Sequence, residues 1–114
     1  FVEVPLCHRV MKYGVTPDVV ARVEAFKDSG VVEIKATANR SPATAIQTAA
    51  QLLAVRVVEC GIGKLRAELL LMPEEPFYKF RVFNDPMDEV TWISMLNTYR
   101  WLSAHKLLRQ NGGR

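Results

Sequence analysis

Prolines and glycines divide this chain into short segments, and their spacing limits its fold more than any other feature. The prolines at positions 17, 42 and 86 follow a threonine, a serine and an aspartate, which are side chains that cap helices. The spacing therefore predicts three helices that begin at these points. We expect the first to end at Gly30, which can adopt a left-handed conformation, and the last to run to about Gln110.

Segments of strand length lie between and around the predicted helices. Apolar or β-branched residues alternate or cluster in the ranges 1–6, 31–36, 55–60, 66–72 and 77–83. Residues 61–63 are either a turn or a glycine bulge in one longer strand, and residues 73–76, with two prolines, predict a turn. The predicted order is β-α-β-α-β-β, followed by a long C-terminal helix.

This order predicts an α+β fold, a two-layer sandwich with two helices on one face of a small mixed sheet. The crossover at residues 7–30 is long enough for a right-handed parallel βαβ unit. We expect residues 1–86 to form the domain. Residues 87–114 are expected to form an amphipathic helix and tail that pack on that domain or on a partner.

Composition excludes several classes of protein. The 114 residues are 49% hydrophobic and 24% charged, which is typical of one globular domain and excludes a disordered tail or a fibre. Uncharged apolar stretches such as residues 69–72 are far too short to span a bilayer, so no membrane partner is expected. A net charge of +3 permits a nucleic-acid partner without requiring one.

The two cysteines and the first residue bear on the compartment. Cys7 and Cys60 are too few for a disulfide framework or a zinc site. We expect both to be reduced thiols on buried strands of an intracellular protein. Because the chain begins with Phe1 rather than methionine, we expect a trimmed N-terminus. The protein is then expected in the cytoplasm or, if a transit peptide was removed, in the mitochondrial matrix.

One segment carries a family resemblance. The sequence Ile-Lys-Ala at residues 34–36, with Arg40 and the Ala-Ile pair at residues 45–46, resembles the signature of the Alba family of small nucleic-acid-binding proteins. Val10, Met11 and Tyr13 resemble the Val-Met-x-Tyr segment of the same family. The resemblance implies the β-α-β-α-β-β order, nucleic-acid binding and association into dimers. The C-terminal domain of bacterial initiation factor three has a similar order and is the nearest alternative family.

Basic residues cluster at three places that could contact phosphates. The candidate nucleic-acid-binding residues are Arg9, Lys12 and Tyr13 in the first loop, Lys35 and Arg40 at the start of the second helix, and Lys64 and Arg66 along the third strand. The alternatives are that Tyr13 belongs to the core and that Arg40 is an ordinary solvated residue. The acidic turn at residues 73–76 disfavours a DNA-coating role, so we expect RNA as the partner rather than DNA.

The last helix is the candidate surface for a protein partner. Trp92, Met95, Tyr99 and Trp101 belong to residue types that dominate interface hot spots or adaptable surfaces. Either this helix completes the core, or it docks onto a second copy, a related chain or a larger ribonucleoprotein complex.

Catalysis finds no support in the sequence. It contains no phosphate-binding glycine loop, no metal-spaced set of His and Cys, and no nucleophile motif with a histidine partner. We therefore expect no enzyme activity and no cofactor. Two hypotheses follow: an RNA-binding module that contacts the phosphate backbone within a ribonucleoprotein, and a protein-interaction subunit with little nucleic-acid affinity. The second is favoured by Thr37, which stands where the family has an arginine.

Overall fold

The chain alternates short strands with two long helices, and its computed structural model describes residues 1–36 and 41–107. The strands are β1 (Leu6–His8), β2 (Tyr13–Val15), β3 (Val19–Val23), β4 (Asp28–Lys35), β5 (Leu65–Leu71) and β6 (Tyr78–Val82); the helices are α1 (Ala43–Val58) and α2 (Met87–Ala104), with a 3-10 turn at Glu24–Phe26. The architecture is α+β, as predicted.

Two separate sheets contain the six strands. β1 and β2 form a small antiparallel hairpin. The main sheet has the order β3-β4-β5-β6, in which β4 and β5 are parallel and the two outer pairs are antiparallel. The parallel pair requires a crossover, and α1 supplies it between β4 and β5.

Helix α1 covers one face of the main sheet. Its start is marked by Ser41, whose Oγ accepts a hydrogen bond from the Ala43 N–H at 3.2 Å. Its apolar side chains Leu52 and Val55 pack on Val20 and Val31 of the sheet. Helix α2 packs against α1, so it forms a third layer on the same side.

The two faces of the main sheet differ in polarity because side chains alternate along each strand. The face under α1, here the covered face, contains the buried charged residues Glu33, Arg66 and Glu68. The opposite face, here the open face, holds a cluster of Val32, Leu65 and Ala67 that contains no helix residue. Within residues 1–36 and 41–107, both helices lie on the covered side.

The helix predicted for residues 16–30 is wrong, and with it the β-α-β-α-β-β order and the first parallel unit. These residues form β3, the 3-10 turn and the start of β4. The valines of β3 pair antiparallel with β4, which satisfies the preference of β-branched side chains for sheets. Gly30 does not end a helix: it lies within β4, where a Cβ atom would overlap the backbone of Leu65.

Three further predictions need correction. Residues 55–58 are the last turn of α1 and not a strand, because Val55 belongs to the helical stripe that faces the core. The first strand begins at Leu6 and not at Phe1. Phe1 instead exchanges two backbone hydrogen bonds with Val20 of β3. Cys7 and Cys60 are free thiols, but both are exposed.

The remaining elements agree with the sequence prediction. β4, β5 and β6 overlap the strands expected at residues 31–36, 66–72 and 77–83 to within a few residues at each end, and α2 begins directly after Pro86. The prediction that the last helix runs to about Gln110 is wrong, because α2 ends at Ala104 and residues 105–107 are not helical. No helix in the described part of the chain is long and apolar enough to cross a membrane.

Candidate nucleic-acid interface

The β1–β2 hairpin presents two of the predicted cations on a well-defined turn. His8 Nδ1 accepts a hydrogen bond from the Met11 N–H at 3.0 Å, and the His8 carbonyl accepts one from the Lys12 N–H at 2.7 Å. Lys12 adopts the left-handed conformation, with a φ of 60°, that this turn requires. Arg9 and Lys12 are therefore both exposed beside the turn.

Tyr13 has a packing role rather than a free ring. Its hydroxyl donates a hydrogen bond to the Ala50 carbonyl of α1 at 2.7 Å. Its ring lies edge-on against Trp92 of α2, with centroids 5.0 Å apart. Burial raises the pKa of the Tyr13 phenol to about 12. Tyr13 is thus held between α1 and α2, which agrees with its alternative as a core residue, and it is only partly exposed.

A third cation reaches the hairpin turn from α2. The Arg100 guanidinium donates hydrogen bonds to the carbonyls of Met11 and Lys12, the latter at 2.8 Å. The sequence prediction missed Arg100, because only the tertiary structure brings residue 100 next to residue 12. Among the described residues, no carboxylate lies within salt-bridge distance of Arg9, Lys12 or Arg100. We call these three residues the basic cluster.

Lys35 is only partly free. Its Nζ lies 3.6 Å from the Glu33 carboxylate and 3.4 Å from Gln47 Oε1. The same carboxylate accepts hydrogen bonds from Gln47 Nε2 at 2.7 Å and from Gln51 Nε2 at 3.2 Å. Burial raises the pKa of the Glu33 carboxyl, while the Gln51 hydrogen bond and the Lys35 charge act to lower it. Lys35 thus belongs first to a buried polar network.

Arg66, predicted as a phosphate contact, is engaged within the fold. Its buried guanidinium pairs with Asp88 of α2 at 2.9 Å. It also donates hydrogen bonds to the carbonyls of Ala45 at 2.9 Å and Asp85 at 3.1 Å. Arg66 therefore fastens the start of α2 to the sheet and to α1.

The other two predicted cations do not join the basic cluster. Lys64 is exposed directly before β5, at the end of the main sheet opposite the β5–β6 turn, and its backbone N–H donates a hydrogen bond to the Asp28 carboxylate. Arg40 lies outside the described residues. The structure therefore brings together Arg9 and Lys12, adds Arg100, and separates them from Lys64 and Arg66.

An apolar groove lies between the hairpin and the two helices. It has a volume of about 370 Å³ and runs between β2, α1 and α2; its lining includes Val15, Ile46, Gln47, Ala50, Trp92 and Met95. Gln47, which contacts Lys35, lies in this lining. Trp92, which contacts the residue after Lys12, lies there too. Lys35 therefore lies next to the Gln47 side of the groove, and the basic cluster lies next to its Trp92 side.

The four residues predicted for a protein partner are divided between two surfaces. Trp92 is half-buried in the groove, whereas Tyr99 and Trp101 are exposed, with Trp101 stacked on His105 at 4.2 Å. Met95 borders both the groove and the outer side of α2. Within the described residues, α2 has no buried residue. Helix α2 thus packs on α1 without contributing a fully buried side chain from the described residues, and its docking onto a partner stays a prediction.

Comparison with known proteins adds no assignment. No protein-family model matches the chain, and no curated protein matches it. In the described part of the chain, no group of three or more His, Cys, Asp or Glu side chains is placed to hold a metal ion.

Proposed function

We propose that this chain is a non-enzymatic RNA-binding module, a subunit of a ribonucleoprotein that holds the phosphate backbone at its β1–β2 hairpin. The observation that carries the proposal is the basic cluster of Arg9, Lys12 and Arg100. Three neighbouring cations without carboxylate partners among the described residues attract a polyanion and release its counterions on binding.

The shape beside the basic cluster supports a single-stranded segment. A groove floored by Trp92, Ile46 and Met95 can accept the apolar face of a base while the backbone follows the cations. Duplex RNA would keep its bases stacked inside the helix and would leave this groove unused. The proposal therefore favours unpaired RNA over duplex RNA or DNA.

The Alba resemblance supports the proposal through its structural setting. The Ile-Lys-Ala motif ends β4, and the Ala-Ile pair at residues 45–46 lies in the first turn of α1. From β4 onward the chain follows the β-α-β-β order of the later part of that family. The part before β4 departs from the family order, because residues 16–30 form strands and a 3-10 turn instead of an α-helix.

Salt dependence tests the proposal quantitatively. Three phosphate contacts on a single strand predict a slope of about −2 in log K against log salt. Affinity for an unpaired RNA should then fall about 20-fold between about 50 and about 200 mM salt. Replacing Arg9 and Lys12 with Gln leaves one contact, so the fall shrinks to about threefold over the same range.

The control variant carries the same charge change elsewhere. Lys27, directly before β4, and Lys79, in β6, are both exposed. Replacing both with Gln should leave the slope of log K against log salt unchanged. Fluorescence anisotropy with labelled single-stranded RNA, duplex RNA and duplex DNA gives the three comparisons. The proposal fails if the wild type does not bind at about 50 mM salt, or if the control variant loses as much as the hairpin variant.

A second candidate function is protein interaction through the outer side of α2, with little RNA affinity. The outer side is uncharged along the helix, since it consists of Met87, Val90, Thr91, Ser94, Met95, Thr98, Tyr99 and Leu102. An exposed apolar surface of this kind marks an interaction site. If it is the functional surface, replacing Tyr99 with Lys removes copurifying proteins while the hairpin variant retains them.

A further inference from the structure

The open face of the main sheet is almost free of charge. Its positions, read from the alternation and the strand register, are Val19, Ala21, Val23, Gly30, Val32, Ile34, Leu65, Ala67, Leu69, Leu71, Tyr78, Phe80 and Val82. Asp28, at the start of β4, is the one charged residue among the alternating positions on this face. Its carboxylate accepts hydrogen bonds from the backbone N–H groups of Ser29 and Lys64. A two-layer fold normally covers such a face, whereas here α1 covers the charged one.

Part of the open face is covered from within the chain. Phe26, in the 3-10 turn, stacks on Phe80 with centroids 5.5 Å apart. Large apolar side chains remain exposed around this pair, with exposed fractions of 48% for Phe26, 41% for Ile34, 43% for Leu71, 64% for Tyr78 and 38% for Val82. Taking roughly 200 Å² for a large apolar residue, they leave roughly 450 Å² of apolar surface on one face.

We propose that the open face is covered by the open face of a second copy of this chain, in a two-fold symmetric dimer. Sheets stack face to face about 10 Å apart with their strands within about 30° of each other. A second copy fits because neither face places charged groups opposite like charges.

The ends of the sheet favour an antiparallel arrangement of the two copies. The β5–β6 turn carries the exposed Glu74 and Glu75. The opposite end carries the exposed Lys27 and Lys64 next to Asp28, and the exposed Glu24 there is paired with Arg22. Lys27, Lys64 and Asp28 therefore sum to +1 at this end, against −2 for Glu74 and Glu75 at the turn. A two-fold axis perpendicular to the strands sets each acidic turn over the partner's basic end.

The size of the surface predicts a reversible dimer. Two faces together bury roughly 900 Å² before the rim is counted, which is below the roughly 1,200 Å² of the smallest standard stable interfaces. We therefore expect a dissociation constant in the micromolar range. This inference does not depend on RNA binding, because the basic cluster lies on the hairpin and α2, away from the open face.

Sedimentation equilibrium on the isolated chain tests the inference. From about 1 to about 100 μM, the mass should rise from 12.9 kDa towards twice that value. Leu71→Lys should hold the mass at 12.9 kDa throughout, since one buried charge per copy opposes pairing. The matched control is Val58→Lys, an equally exposed valine at the end of α1, which should dimerise as the wild type does.

Further outcomes decide between surfaces. Ile34→Lys, on the neighbouring strand, should repeat the effect of Leu71→Lys if the latter unfolds by circular dichroism. A wild type that stays at 12.9 kDa overturns the inference. So does a dimer that survives both variants but dissociates with Tyr99→Lys on α2. Because monomeric Leu71→Lys keeps the hairpin intact, its RNA affinity should be retained, which separates this inference from the proposed function.

Discussion

Replacing Arg66 with Met separates a structural cation from a nucleic-acid contact. Arg66 lies on the covered face of the sheet and donates to Ala45, Asp85 and Asp88, so its loss removes three hydrogen bonds from one buried site. Methionine has a similar length and keeps the apolar packing, but it leaves the Asp88 carboxylate, 17% exposed, without its partner.

The magnitude follows from the burial of this pair. Removing one partner of a buried ion pair typically costs about 3–5 kcal/mol, because the remaining charge is left uncompensated. A surface pair provides the contrast: Arg22 and Glu24 lie 3.0 Å apart but are largely exposed, and Arg22→Met should cost less than about 1 kcal/mol. We therefore expect the free energy of unfolding to fall by about 3 kcal/mol for Arg66→Met.

Urea denaturation measures both variants from the midpoint and the slope of the transition. RNA affinity, measured below the unfolding transition, should be the same for Arg66→Met as for the wild type. In the background of Asp88→Asn, Arg66→Met should cost less, because the stranded carboxylate is absent. The reasoning is refuted if Arg66→Met costs no more stability than Arg22→Met while RNA affinity falls.

Three further variants test the buried polar groups and one glycine. Glu33→Gln should raise the free energy of unfolding at neutral pH. Burial raises the pKa of the Glu33 carboxyl, so its ionised form destabilises the fold above that pKa. The gain in stability should vanish as the pH falls towards 4.5, and urea titrations at several pH values would show this. Wild-type stability should decline between pH 10 and about pH 12, where the unfolded Tyr13 phenol ionises and the folded one does not. Tyr13→Phe should lose this alkaline decline, as well as about 1 kcal/mol at neutral pH from the hydrogen bond to Ala50. Gly30→Ala should lower the free energy of unfolding by more than the few tenths of a kcal/mol expected of a tolerated substitution, because the new Cβ overlaps the Leu65 backbone. A thermal midpoint equal to that of the wild type would contradict the close contact between β4 and β5.

The sequence located the second half of the fold better than the first. Residues 31–83 carry clear signals, with a β-branched run, an alanine-rich helix and a turn between two prolines. In residues 16–30 the local capping signal and the valine content disagreed. Pairing with β4 decided the outcome, because sheet hydrogen bonds with a neighbouring strand are not visible in a local pattern. Asp18, expected to assist a helix start, accepts the Ile34 N–H instead at 2.8 Å.

The candidate site shows the same division. Arg9 and Lys12 could be chosen from the sequence because they are close in the chain and flank apolar residues. Arg100 could not, since 88 residues separate it from the Lys12 carbonyl to which it donates a hydrogen bond. Arg66 has the same residue type as Arg9, and only its burial beneath α1 shows that it stabilises the fold.

The sequence by itself determined the α+β class, the strands β4 to β6, and the start of both helices, because these depend on neighbouring residues and on steric limits of proline and glycine. Only the tertiary structure decided which cations are free, which charges are buried, and which face of the sheet stays uncovered. Those properties depend on contacts between distant segments. Alternation along a strand defines two faces, but the position of α1 decides that the charged face is covered and the apolar face is open.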